Sequence, residues 1–240
     1  MHAFDWIEAN KTGQPPCSNL SGLIPDVFDK YFLVPWITGI IDSFPFAEYP
    51  ENNYKLADLN KQIRLQHEAG IFLNTDTEYL YRETTLRELA ERFRVPYGAD
   101  TAELIKSTPG ISTLYTATMR MLSGLLHALP HDSELHLHVE FDDYCRWENG
   151  NYEEWNQVQN TLTDASLYFS FRNETGWDTT SCLFPENRTW CLCTIEGFSH
   201  FILCCNASAY KSLQALDGLE TFEVRYDFQT DKTTVVRALP

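Results

Sequence analysis

Positive charge is scarce in this chain: 18 lysines and arginines stand against 34 aspartates and glutamates, a formal net charge of -16 over 240 residues. That balance repels phosphate backbones and anionic lipid surfaces, so nucleic acid is disfavoured as a partner and a membrane is not expected. No apolar run reaches membrane-spanning length, and the opening MHAFDWIEANKTG has neither a basic nor an apolar leader segment. A cytoplasmic location is the expectation that follows. Glycine and proline number 11 each, against 43% hydrophobic and 14% aromatic residues, which excludes fibrous and disordered classes. There is no internal repeat and no low-complexity tract. Seven cysteines form an odd set without an export signal, which argues for reduced thiols rather than a disulfide framework. A Walker loop, a dinucleotide fingerprint, a nucleophile elbow, a paired CxxC and a kinase signature are all missing. Their absence lowers the expectation of an enzyme without removing it, and no cofactor is called for.

What is present is a cysteine- and aromatic-rich stretch at 189–205, TWCLCTIEGFSHFILCC, in which two β-rich apolar runs flank Glu196 and Gly197. A two-residue turn there sets Cys193 opposite His200, Cys191 opposite Ile202 and Trp190 opposite Leu203. Period-2 alternation puts Cys191, Cys193, Ile195, His200, Ile202 and Cys204 on one face, and Trp190, Leu192, Phe201, Leu203 and Cys205 on the other. Both faces need cover from the rest of the chain.

Residues 13–50 carry Pro15, Pro16, Pro25, Pro35, Pro45 and Pro50, and their many large apolar side chains suggest short helical turns against a core. A helix over 53–69 is expected to turn Leu56, Leu59 and Ile63 inward, with Gly70 as its stop. A second helix starts at Thr85, whose hydroxyl and Glu88 form a capping box ahead of Leu86, Leu89, Ala90 and Phe93, and Pro96 ends it. A third occupies 111–129, before Pro130. Beyond it the period falls to 2: Leu135, Leu137, Val139 and Phe141 alternate with His136, His138, Glu140 and Asp142, a half-buried strand with a solvated polar side. A short helix from Asn151 with Tyr152, Trp155 and Val158, strands over 167–172 and 179–184, a helix capped by Asn206, and a strand through Phe222, Val224, Tyr226 and Phe228 complete the reading. The fold class expected is α+β, with a helical N-terminal half (1–130) packed on a mostly antiparallel C-terminal sheet half (131–240) with two short helices, possible also as one continuous domain.

Four groups of residues could carry function. The segment TTLRELAERFRVP at 84–96 resembles the first helix and turn of helix-turn-helix DNA-binding proteins. That resemblance implies a recognition helix, for which 101–107 offers only Lys106 as a base and adds Glu103. His136, His138 and Glu140 project from one strand face with a spacing that zinc or iron sites use, and HxH resembles the start of the metallo-β-lactamase-like and cupin metal motifs, giving a metal-dependent hydrolase as an alternative. The acidic residue is wrongly spaced for cupins, and no following histidine completes the hydrolase motif. Cys191, Cys193, His200 and Cys204 share a face as a nucleophile with its base, as zinc ligands, or as plain core. Finally, EFDDYCRWENGNYEEW at 140–155 sets six acidic residues around Arg146 and interleaves them with aromatics. Glu140, Asp142, Asp143, Tyr144, Trp147, Glu148, Glu153, Glu154 and Trp155 are the candidates for binding a cationic protein, the rings giving contact and the carboxylates steering encounter. The leading expectation is a bacterial-type interaction protein that neutralises or regulates a basic partner. Immunity proteins paired with secreted toxins are similar in size, charge and lack of catalytic motifs.

Overall fold

The computed structural model describes residues 5–11, 24–50, 55–72, 77–105, 109–130, 134–148, 151–163, 165–175, 179–195, 198–226 and 237–238, with the backbone alone at 8, 140–148, 151–160, 165, 174–175 and 237–238. The elements in chain order are α1 (Asp5–Asn10), β1 (Lys30–Pro35), β2 (Thr38–Ile40), α2 (Leu56–Glu68), β3 (Arg82–Thr84), α3 (Leu86–Phe93), α4 (Thr101–Leu104), β4 (Ile111–Thr113) and α5 (Tyr115–Ala128). There follow β5 (Leu135–Glu148), β6 (Asn151–Leu162), α6 (Ala165–Thr175), β7 (Thr180–Pro185), β8 (Trp190–Thr194), β9 (His200–Cys205), α7 (Ala207–Gln214), β10 (Phe222–Val224) and β11 (Arg237–Ala238). The chain forms two compact units, Met1–Pro35 with Leu122–Pro240, and Trp36–Met121.

The expectation of a helical N-terminal half is overturned. The segment KYFLVP enters the large sheet as β1, between β9 and β10, in the order β11-β10-β1-β9-β8-β7-β5-β6. Seven strands of that antiparallel sheet come from the C-terminal region, and the N-terminal half mixes short strands with helices instead of packing helix on helix. The physical reason lies in β1 itself. Tyr31, Phe32, Leu33 and Val34 are all buried, so the strand is apolar on both faces and shows no alternation. Two further assignments exchange places: the segment from Asn151 is the strand β6, and the segment around 167–172 is the helix α6.

Strand register divides the large sheet into two faces. His136, His138, Cys182, Phe184, Cys191, Cys193, Ile202, Cys204, Tyr31 and Leu33 share one, since the pairs His138 with Cys182, Cys182 with Cys193, Cys193 with Ile202 and Leu33 with Ile202 run across it. Helix α1 covers part of this face: the Trp6 ring meets Phe184 edge to face at 5.1 Å. The opposite face carries Leu137, Leu183, Leu192, Trp190, Phe201, Leu203 and Phe32. Tyr210 of α7 stacks on Phe32 at 5.5 Å, and Arg172 of α6 reaches Thr194 Oγ1 at 3.3 Å. Asn206 caps α7 as expected, accepting from the Ser208 and Ala209 amides. Phe228 lies outside the described residues.

In the second unit β2 lies between β3 and β4 in an antiparallel three-stranded sheet. Phe44, Tyr49, Ile41 and Leu65 form its core beside Phe46, Leu80 and Tyr81. Helix α2 buries Leu65, whereas Leu56, Leu59 and Ile63, expected inside, are exposed. Helix α3 begins as expected, with the Glu88 amide donating to Thr85 Oγ1 at 3.0 Å, and ends at Arg94 in the left-handed region (φ 55°). Arg82 bridges Asp42 and Glu88 while Arg92 also bonds Asp42, so Arg82 and then Arg92 hold the Asp42 carboxyl at about 2.

Gly39 in β2 is a packing requirement: a Cβ there would fall 2.7 Å from both Leu114 Cδ2 and Tyr81 Cβ. Gly39→Ala is expected to destabilise by about 1–3 kcal/mol through overpacking. Gly124 in α5 has nothing within 4 Å of such an atom, so Gly124→Ala is expected to be neutral or to stabilise by up to about 1 kcal/mol. Urea titrations of the two variants check the contrast, and equal shifts would refute it.

Candidate functional site

The acidic, aromatic segment forms the far part of a long hairpin. Strand β5 pairs with β7 only over Leu135 to Glu140, whereas its pairing with β6 continues through Tyr144 with Trp155, Arg146 with Glu153, Trp147 with Tyr152 and Glu148 with Asn151. Among the described residues, then, the outer ribbon has no strand partner beyond its own two arms. The register shifts between Glu140 and Tyr144. Three residues, Phe141, Asp142 and Asp143, stand there against Asn156 alone, a bulge where the ribbon leaves the sheet. Among the described strands β6 is also the last in the sheet order, so its outer edge is the edge of the described sheet. Glu140, Asp142, Asp143, Tyr144, Trp147, Glu148, Glu153, Glu154 and Trp155 are therefore all brought onto one ribbon by the backbone, and their side chains lie outside the described residues.

The histidines expected on a solvated strand face are buried instead, His136 at 6% and His138 at 7% exposure. The reason is that β7 flanks β5 here and α1 covers their shared face. His136 Nε2 meets Glu186 Oε2 at 2.5 Å and its Nδ1 meets Thr161 Oγ1 at 3.4 Å, so both ring nitrogens are engaged by protein groups. That arrangement orients the ring beside Phe184. The Glu140 carboxylate lies outside the described residues, as does His131.

The hairpin at 189–205 forms, with a register two positions from the expected one: Cys191 faces Cys204, Cys193 faces Ile202 and Trp190 faces Cys205. Glu196 and Gly197 lie outside the described residues, and the loop is closed by the Phe198 amide donating to the Ile195 carbonyl at 3.1 Å. A shift of two preserves both faces, so the alternation expected from the sequence holds although its partners change. His200 consequently lies opposite Pro35 of β1, and the Cys193–His200 pairing is not made.

In its place the fold assembles a cluster that the sequence reading lacked. Cys182 on β7 lies opposite Cys193, with their sulfurs 3.2 Å apart, and Cys191 Sγ is 3.5 Å from Cys193 Sγ. The sulfurs of Cys182, Cys191 and Cys193 all lie within 4.8 Å of one another, and all three residues are buried. Hydrogen bonds from Cys182, then Cys191 and Cys204, hold the Cys193 thiol well below its ordinary range, helped by the charge of Lys11 just past α1. Burial and then the Cys193 contact push the Cys204 thiol up. A signal for Cys182 existed in PENR at 185–188: the Arg188 amide donates to the Pro185 carbonyl at 2.9 Å, and this turn sets Cys182 against Cys193.

The segment resembling a helix-turn-helix forms α3, and the helix after it, α4, is a single turn of four residues. Lys106 lies outside the described residues. No helix among the described residues is long and apolar enough to cross a membrane. No protein-family model, curated protein or solved structure matches the chain.

Proposed function

We propose that this chain binds a cationic protein through the outer β5–β6 ribbon, and so neutralises or regulates it in the manner of an immunity protein. The observation that carries the reading is the ribbon's departure from the sheet at a bulge, taking five acidic residues (Asp142, Asp143, Glu148, Glu153 and Glu154) and their interleaved aromatics away from strands that would otherwise flank them. Aromatic rings give desolvated contact area, and a net charge of -16 steers a basic partner toward that contact. Association of this kind weakens as salt rises, because the exposed charges are screened within about 10 Å at 0.1 M.

The test compares two variants that change net charge equally. One reverses Asp142, Asp143, Glu153 and Glu154 to lysine; the other reverses the exposed Glu68, Glu91, Glu103 and Asp217. Basic proteins retained by the immobilised wild type at low salt are identified by mass spectrometry, purified, and titrated against all three chains. The ribbon variant is expected to bind at least about tenfold more weakly than the control variant. Equal weakening would assign the binding to overall charge, and retention of no basic protein would overturn the reading.

A further inference from the structure

We propose that Cys182, Cys191, Cys193 and Cys204 form a closed, structural zinc(II) site that ties β7, β8 and β9 together within the large sheet. Four buried cysteines from three adjacent strands share one face, with the sulfurs of Cys182, Cys191 and Cys193 within 4.8 Å of one another, while the neighbouring Cys205 lies on the other face as ordinary core. Sulfur separations of 3.2 and 3.5 Å around Cys193 are close to the spacing of about 3.8 Å that a tetrahedron with Zn–S bonds of about 2.3 Å requires. Small outward movements of the thiols would admit the ion. Cys204, buried on the same face and opposite Cys191 in register, lies outside the group of three whose sulfurs are within 4.8 Å of one another, and its thiol would move inward to supply the fourth position. Zinc binding would deprotonate the four thiols, their protons passing to solvent as the Zn–S bonds form. With all four positions taken by cysteine and every thiol buried, the site has no open position for water or substrate, which makes its role architectural.

The decisive arm uses the intact chain. Protein purified without added metal is assayed by elemental analysis, stripped under anaerobic conditions, and refilled with cobalt(II) as a spectroscopic substitute. The expected result is one zinc per chain, a thiolate-to-cobalt charge-transfer band with tetrahedral ligand-field bands, and a melting temperature that falls on stripping and recovers with zinc. Cys193→Ser is expected to lose metal and bands together, while Cys205→Ser, equally buried but on the other face, keeps both. Should Cys193→Ser fail to fold, the stripping and refilling of wild type still decides. Zinc and cobalt signals both absent from folded wild type, stoichiometric copper in place of zinc, or a Cys182–Cys193 disulfide in protein alkylated at lysis would each overturn the site.

Discussion

Trp190→Ala is expected to lower the unfolding free energy by about 3–5 kcal/mol, the largest single effect anticipated here. Trp190 is fully buried in β8, opposite Cys205, on the sheet face that α6 and α7 cover. Its indole Nε1 donates to the Pro130 carbonyl at 2.7 Å, so the ring both fills the layer and ties it to the end of α5. Alanine leaves a cavity and removes the donor at once. In a chain of this size the melting temperature should fall by roughly 10 °C. Trp190→Phe separates the contributions: it keeps most of the ring and loses the hydrogen bond, and a cost of about 1–2 kcal/mol is expected. Thermal and urea unfolding followed by circular dichroism check both values. A cost below 1 kcal/mol for the alanine variant would mean that this layer repacks freely.

The second large effect concerns Arg172 in the last turn of α6, which is fully buried. Its guanidinium donates to Thr179 Oγ1 at 2.5 Å, the Thr179 carbonyl at 3.1 Å and Thr194 Oγ1 at 3.3 Å, tying the helix to β8 and to the residue before β7. Thr194 Oγ1 itself donates to the Thr179 carbonyl at 2.8 Å, so that carbonyl keeps one partner when the arginine is removed. Arg172→Ala is expected to cost about 3 kcal/mol, through the cavity and the lost donors. Arg172→Met restores most of the volume and spares the desolvation of a charge, so it should cost only about 1 kcal/mol. If methionine proves as damaging as alanine in the same unfolding titrations, the guanidinium's hydrogen bonds outweigh its packing.

The sequence was most legible where local chemistry decides structure. Thr85 and Asn206 cap their helices because a side-chain oxygen two or three residues from free amides is a local device. The faces of 189–205 were legible because period-2 alternation survives a register shift of two, whereas the register itself was set by a loop wider than the two-residue turn. Strand β6 was misread because Tyr152, Trp155 and Val158 fall at helical spacing, although the segment pairs along β5. Helix α6 was misread in the other direction, its Tyr168, Phe169 and Phe171 being strong strand formers held in a helix by tertiary packing. β1 was beyond local reading altogether, since its partners lie about 170 residues away and its apolar run fits a buried helix turn as well as a strand.

The candidate sites divide along the same line. The acidic ribbon was visible as composition, and its departure from the sheet became visible only through the pairing of β5 with β7. The thiol cluster depended on Cys182, which is nine residues from Cys191 and joins it through the turn before β8. Charge on an edge strand also discourages edge-to-edge pairing between copies, which is why the ribbon variant is compared with a charge-matched one.

Amide hydrogen exchange of the chain, with and without its purified cationic partner, tests the central claim most directly. Slowed exchange concentrated at 141–148 and 151–155, with the rest of the large sheet unchanged, is the predicted result. Protection centred on the other unit, or on the far edge of the sheet at β10 and β11, would contradict it.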